Sequence, residues 1–195
     1  MKLIGLTGGI GMGKSTAANT FRRAHIPVFD ADQAVHQLQA PGGKGVGAIA
    51  AAFPGTVRDG AVDRPALRAA VLGDKTALKR LEQILHPLVE QAEHRFVSRA
   101  RRAGAKAVVL DIPLLFEIGA DKRVDQVIVV SAPKSVQIHR VGLRRSMSQA
   151  EIRAVIARQM PDAEKRRRAD VVIHTGLSRG HAARSLRRLI GQWQS

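Results

Sequence analysis

Eight residues, Gly8 to Ser15 (G-G-I-G-M-G-K-S), constrain this chain more tightly than any other stretch. They fit the phosphate-binding pattern G-x-x-x-x-G-K-[ST], with Gly8, Gly13, Lys14 and Ser15 at the fixed positions. The flanks fit as well. Lys2 to Thr7 is a short, mostly apolar run that reads as a buried strand, and Thr16 to Arg23 reads as a helix. In a strand–loop–helix unit the loop's backbone N–H groups turn inward around an anion, and the helix N-terminus adds partial positive charge. Glycines at 8, 9, 11 and 13 permit the tight curl and keep side chains away from the anion. Lys14 can reach the β- and γ-phosphates, and the Ser15 hydroxyl can ligate Mg²⁺. The expected ligand is therefore a nucleoside triphosphate, held by Gly8, Gly9, Gly11, Met12, Gly13, Lys14, Ser15 and Thr16.

The rest of the chain supplies a frame for that loop. Pro27–Asp30, Val108–Ile112, Asp125–Val130 and Asp170–Ile173 are further strand candidates, separated by helical stretches. Apolar strands alternating with helices predict an α/β fold, a five-stranded parallel sheet covered on both faces. Between the second and third strands, residues 33–105 read as mostly helical, with a break at Pro41-Gly42-Gly43. Leu67, Val71, Leu78, Leu81, Ile84, Leu85, Leu88 and Val89 recur there at helical spacing and predict a core-facing stripe. This is too much chain for one crossover helix and reads as a helical insertion. Ser135 to Lys165 reads as helix, break, helix, with Ser148 and Glu151 spaced as a capping box. Arg140 and Arg144 share one helix face there, and an arginine-bearing helical hairpin at this point resembles the mobile lid of small P-loop kinases. Ser178 to Gln192 reads as a basic amphipathic helix packed on the sheet, with Trp193 as packing or chance, not function. At 195 residues the expected organisation is one domain, with a core of 1–32, 106–134 and 169–195, an insertion of 33–105 and a lid of 135–168.

Charge points toward anionic partners. The chain holds 32 Lys and Arg against 16 Asp and Glu, a net +16, and residues 134–188 alone hold 14 against 4. Nucleic acid is one partner class this suits; a nucleotide with a second phosphorylated substrate is another. Aromatics make up only 3% and tyrosine is absent, which argues against a single-strand stacking surface. The absence of cysteine excludes disulfides and thiolate metal sites. No apolar run approaches the roughly 20 residues a membrane span needs. The N-terminal apolar stretch runs straight into the phosphate loop, unlike a secretory signal, so a cytoplasmic location is expected.

The acid that would complete a phosphotransferase is Asp32, in Asp30-Ala31-Asp32 after the second strand. Strand ends converge on the ligand crevice of such sheets, where an acid can take the proton of an acceptor hydroxyl. Asp32 reads equally well as the N-cap of the next helix.

With these residues in view, the chain resembles the dephospho-coenzyme A kinase family. L-T-G-G-I-G-S-G-K-S-T of the family stands here as Leu6 to Thr16 with Met12 in place of serine. D-A-D stands at Asp30 to Asp32, D-R-x-x-L at Asp63 to Leu67, and L-E-x-I-x-H-P at Leu81 to Pro87. P-L-L-F-E is intact at Pro113 to Glu117. Gln137, Arg140 and Arg144 match the lid pattern, and Gln159-Met160 and Ala169 to Ile173 match later signatures. Thr175 stands near the position where the family commonly has asparagine.

The resemblance implies a kinase that uses ATP and Mg²⁺ to phosphorylate the ribose 3′-hydroxyl of dephospho-CoA, on a P-loop kinase fold with a helical substrate-binding insertion and a helical lid. It implies Asp32 as base, with Lys14 and Arg140 on the phosphates and Asp111 beside Ser15 at the metal, although Asp111 at the end of its strand also reads as a helix cap. Arg140, Arg144 and Thr175 would lie near the nucleotide. Arg64, His86, Leu115 and Glu117 would line the acceptor pocket, although His86 also reads as a turn cap before proline and Glu117 as an arginine partner. The partners expected are these two small molecules, with no obligate nucleic acid and no membrane. A kinase for another small acceptor, or a nucleic-acid-stimulated NTPase, are the rival readings; the first lacks the combination of D-A-D, H-P and P-L-L-F-E.

Overall fold

A computed structural model describes residues 1–144, 149–157 and 159–194. The chain divides into two compact units, one of Met1–Phe29 with Arg99–Ser195 and one of Asp30–Ser98.

The first unit is built on a five-stranded sheet. Its strands are β1 (Lys2–Thr7), β2 (Val28–Asp30), β5 (Ala107–Asp111), β6 (Gln126–Ser131) and β7 (Val171–His174), in the order β2-β5-β1-β6-β7. β1 lies at the centre, parallel to β5 and β6, with Leu6 beside Asp111 on one side and Ile128 on the other. Val108, Val109, Leu110, Ile128, Val129 and Val130 are all buried, the near-continuous burial of a sheet covered on both faces. β6 and β7 each begin one residue later than the sequence suggests. Asp125 and Asp170 stand just outside and use their carboxylates to accept the N–H groups of Leu3 and Val127, each at 2.7 Å.

Two helices cover one face: α1 (Lys14–Arg23) after the phosphate loop and α9 (Arg179–Gln194) at the end of the chain. Ile4, Leu6, Phe21, Val130, Leu186 and Trp193 join in one cluster, and the Phe21 and Trp193 rings stack at 5.7 Å. Trp193 is a packing residue, as expected. Between β6 and β7 run α6 (Lys134–Arg144), α7 (Gln149–Ala157) and α8 (Asp162–Arg168), three helices where two are expected. The capping box cannot be placed, because Ser148 lies outside the described residues.

The second unit holds α2 (Ala31–Gln39), α3 (Val46–Ala52), the hairpin β3 (Val57–Arg58) and β4 (Ala61–Val62), α4 (Arg64–Val71) and most of α5 (Lys75–Arg102). Its core joins Leu38, Ile49, Phe53, Val62, Leu67, Leu81 and Leu85. The expected stripe is present except at Leu78, which is 44% exposed. The hairpin departs from the expectation of helix. Asp59 and Gly60 both take positive φ, the two-residue turn that suits the twist of paired strands. Pro87 lies inside α5, so His86 sits mid-helix and does not cap a turn.

Candidate active site

β1 delivers the chain to the loop. Thr7 is fully buried and its hydroxyl donates to Pro113 O at 2.9 Å, which ties the strand's end to the turn after β5. Beyond it the backbone enters the left-handed region at Gly11 (φ 75°) and Gly13 (φ 93°), where a β-carbon would be strained. The loop glycines also let neighbouring elements press against it. A side chain at Gly8 would run into Val130. A β-carbon at Gly9 would sit 3.2 Å from Gln159 Oε1 and 3.3 Å from Gln137 Nε2, and one at Gly11 would meet Val141 Cγ2 at 2.7 Å.

Three successive carbonyls of the loop are held from outside, that of Gly11 by Arg140 Nη1 at 3.5 Å. Ile10 O accepts from Gln137 Nε2 at 2.8 Å, and Met12 O accepts from Thr175 Oγ1 at 2.6 Å. The Ile10 N–H donates to Gln159 Oε1 at 3.0 Å, and the Met12 N–H to Gly9 O at 3.1 Å. By contrast, the N–H groups of Gly11, Gly13, Lys14 and Ser15 have no protein acceptor among the described residues. α1 begins at Gly13 with no side-chain cap and no acid in its first turn. A bare helix N-terminus with a run of unpaired donors is an anion site.

The charged groups around it are ordered. Lys14 Nζ pairs with Asp111 Oδ1 at 2.7 Å, and the Asp111 side chain is only 4% exposed at the end of β5. Asp111 is thus a partner of the loop lysine and not a helix cap. Ser15 and Thr16 follow on the exposed first turn of α1. Met12 supplies no hydroxyl: its side chain is buried beneath the loop and Sδ accepts from Ala132 N at 3.1 Å. The departure from serine therefore places a core contact there and leaves the backbone as the donor set.

Arg140, on α6, donates from Nη2 to Thr175 O at 2.7 Å and from Nη1 to Thr175 Oγ1 at 3.1 Å. Gly11, Gly13, Thr16, Thr20, Arg140 and Thr175 line a cleft of about 210 Å³ over the start of α1. The Thr175 hydroxyl donates to Met12 O and accepts from Arg140, so this residue joins the loop to the arginine. Arg144 ends α6, and its side chain lies outside the described residues, as does Arg145.

Two acceptor-pocket candidates have other work. Leu115 is fully buried, with its methyl groups 3.0 and 3.2 Å from the position of a Gly5 β-carbon; it packs under the central strand. Glu117 pairs with a lysine, not an arginine: Lys165 Nζ lies 2.9 Å from its Oε1, and the Met160 N–H donates to the same oxygen at 3.1 Å. Lys165 is 1% exposed. Burial pushes the Glu117 carboxyl up, but the Lys165 hydrogen bond and charge and two backbone N–H groups outweigh it and hold the carboxyl below its ordinary value. The Arg166–Arg168 triplet is spent locally, on Asp162, Glu164 and Asp121.

Asp32, Arg64 and His86 belong to the second unit. The cap of α2 is Asp30, whose Oδ1 accepts from Gln33 N at 3.0 Å, so Asp32 is not the cap. Asp32 is exposed in the first turn and carries no hydrogen bond or ion pair among the described residues. Arg64 is exposed and donates to His36 Nε2 at 2.7 Å, and His86 is exposed on α5. Sequence reasoning assigned no role to Gln137, Gln159 or Lys165; its only signal was their place in or beside family motifs.

A family model described as dephospho-CoA kinase matches residues 2–178. A dephospho-CoA kinase of Paramagnetospirillum magneticum is 60% identical over 166 residues, covering 85% of this chain and 78% of that one. A solved structure from Thermus thermophilus superposes with a TM-score of 0.85 at 36% identity, covering 98% of this chain and 97% of the other. A Campylobacter jejuni dephospho-CoA kinase shares the fold, with a TM-score of 0.67 at 22% identity over 98% of this chain and 97% of its own.

Proposed function

The chain belongs to the dephospho-CoA kinase family, whose reaction is the ATP-dependent phosphorylation of dephospho-CoA that completes coenzyme A synthesis, and from that premise we propose how its residues divide the work. The observation that carries the reading is the run of unpaired N–H groups at Gly11, Gly13, Lys14 and Ser15, opening at a bare helix N-terminus beside the Lys14–Asp111 pair. These donors cradle the phosphates, and Lys14 shifts from Asp111 toward the charge that develops on the transferred group. Arg140 closes the nucleotide side of the same cleft. Asp32 accepts the proton of the ribose 3′-hydroxyl; the capping of α2 by Asp30 leaves its carboxylate available for this. Arg64 and His86 supply contacts to the acceptor from the insertion. The organisation is a core of 1–32, 106–134 and 169–195 carrying an insertion of 33–105 and a lid of 135–168.

Among the described residues no group of three or more His, Cys, Asp or Glu is placed to hold a metal ion. Ser15 and Asp111 offer two hard oxygen donors, a set that suits Mg²⁺, which keeps several waters and takes phosphate oxygens as ligands. When bound it neutralises phosphate charge. The working location is the cytoplasm; no helix among the described residues is long and apolar enough to cross a membrane.

The test is a panel of acceptors with MgATP, following ADP together with the phosphorylated product. Dephospho-CoA is expected to be preferred. Faster phosphorylation of a nucleoside monophosphate overturns the acceptor, and turnover stimulated only by nucleic acid overturns the kinase reading.

A further inference from the structure

Both backbone groups of Ile10 are taken by glutamine side chains from two separate places. Gln137, on α6, donates Nε2–H to Ile10 O at 2.8 Å and is 4% exposed. Gln159, beyond the end of α7, accepts the Ile10 N–H on Oε1 at 3.0 Å. The amide orientations are forced by chemistry: a carbonyl can only accept, so it must face an NH₂, and an N–H can only donate, so it must face an oxygen. Gly9 makes room for both, since a β-carbon there would press on each amide. Gln159 is secured in turn, because the next residue, Met160, donates its N–H to Glu117, whose carboxylate is held by buried Lys165.

Ile10 stands immediately before Gly11, one of the loop's unpaired donors. The peptide that carries Ile10 O also carries the Gly11 N–H, so turning that carbonyl toward Gln137 aims the N–H the opposite way, toward the site. We propose that Gln137 and Gln159 are positioning residues for phosphoryl transfer, which fix the Ile10 backbone and so aim the Gly11 N–H at the transferred phosphate. Neither touches the reacting atoms. The role rests on the nucleotide site being a kinase site, and it predicts an asymmetry that packing alone would not produce. A carboxylate in place of Gln159 keeps an acceptor for the Ile10 N–H. A carboxylate in place of Gln137 removes the donor and sets oxygen against oxygen. Both substitutions put the same charge beside the same loop, so charge repulsion of ATP is common to the pair.

The experiment is steady-state kinetics with MgATP and dephospho-CoA on the full chain, with active-site titration and Tm for each variant. Q137L and Q159L are expected to lower kcat and raise KM for ATP, together reducing kcat/KM for ATP about tenfold, the scale of one lost hydrogen bond in a buried site. KM for dephospho-CoA stays within about twofold, since neither group is on the acceptor side. Q137E is expected to lose at least about fivefold more kcat/KM for ATP than Q159E. Equal losses in the two glutamate variants overturn the proposal, as does a loss confined to Tm and active fraction with KM for ATP unchanged. If a leucine variant does not fold, the glutamate pair decides. A wild-type protein that does not phosphorylate dephospho-CoA contradicts the function itself; the positioning role is then read from ATP binding by the same variants, and equal ATP affinities for Q137E and Q159E overturn it.

Discussion

The two units carry site residues in opposite conditions. In the sheet-based unit several are already held by the protein: Lys14 by Asp111, Arg140 by Thr175, Ile10 by two glutamines, Glu117 by Lys165. In the unit of Asp30–Ser98 the corresponding groups stand open. Asp32 and His86 are exposed, and among the described residues Arg64 reaches only His36. The phosphate end is arranged before any ligand arrives, so its donors need little reorganisation on binding. The acceptor candidates of the second unit present exposed side chains, which the proposed function assigns to the substrate. Substitutions in the first unit should therefore disturb ATP parameters and stability together, and those in the second should disturb turnover while sparing the fold.

Asp32→Asn gives the largest separation of the two. Loss of a general base lowers kcat by about 10²–10⁴-fold. ATP affinity should stay at the wild-type level, and stability should change by less than about 1 kcal/mol, the scale of a first-turn acid against the helix dipole. Isothermal titration with an ATP analogue, beside a turnover assay, checks both parts; near-normal turnover removes Asp32 from the chemistry. Lys14→Ala comes next. It deletes a phosphate donor and should lower turnover about 100-fold, with weaker ATP binding as well. Unchanged ATP affinity would count against the loop's assignment.

The buried pair behind the loop tests the stability half of the comparison. Glu117→Gln leaves Lys165 buried without a counter-charge, at a cost of about 3 kcal/mol. Lys165→Met leaves a carboxylate that is partly open to water and still bonded to Met160, and should cost about 1 kcal/mol. The Glu117 carboxyl titrates lower in the folded protein than in the unfolded chain. Its stabilisation is therefore complete above the unfolded value and fades as pH falls through the folded one. Urea unfolding between pH 7 and 3 should show the gap between wild type and Glu117→Gln narrowing with acid; a gap that widens contradicts the pairing. The smallest effect is expected at Thr175→Val, which removes the hydroxyl between Met12 O and Arg140. It should cost about 1 kcal/mol and raise KM for ATP a few-fold.

The parts of this molecule set by local order were readable in its sequence. β1 runs from Lys2 to Thr7 as its apolar run indicates, and the other four strands of the sheet fall within one residue of their expected ends. The family was readable too, from motifs spread along the chain. What escaped was decided by distant partners. Gln137 and Gln159 bond to a residue 127 and 149 positions away, and nothing in their neighbours indicates it. Leu115 and Glu117 sit in one short motif with similar prospects as pocket residues, yet one packs under Gly5 and the other meets Lys165. The cap of α2 turned on which of two aspartates, two residues apart, the backbone would face. The hairpin at Asp59-Gly60 joins strands of two residues each, too short to show a period of two.

The claim that the phosphate end is set before ATP arrives can be read amide by amide. Hydrogen exchange by NMR on the unliganded protein should find the Ile10 and Met12 amides protected, held by Gln159 and Gly9. The amides of Gly11, Gly13, Lys14 and Ser15 should exchange freely until an ATP analogue is added, and then slow. Uniformly fast exchange across the loop in the free protein, or no slowing of those four amides with nucleotide bound, would contradict the account.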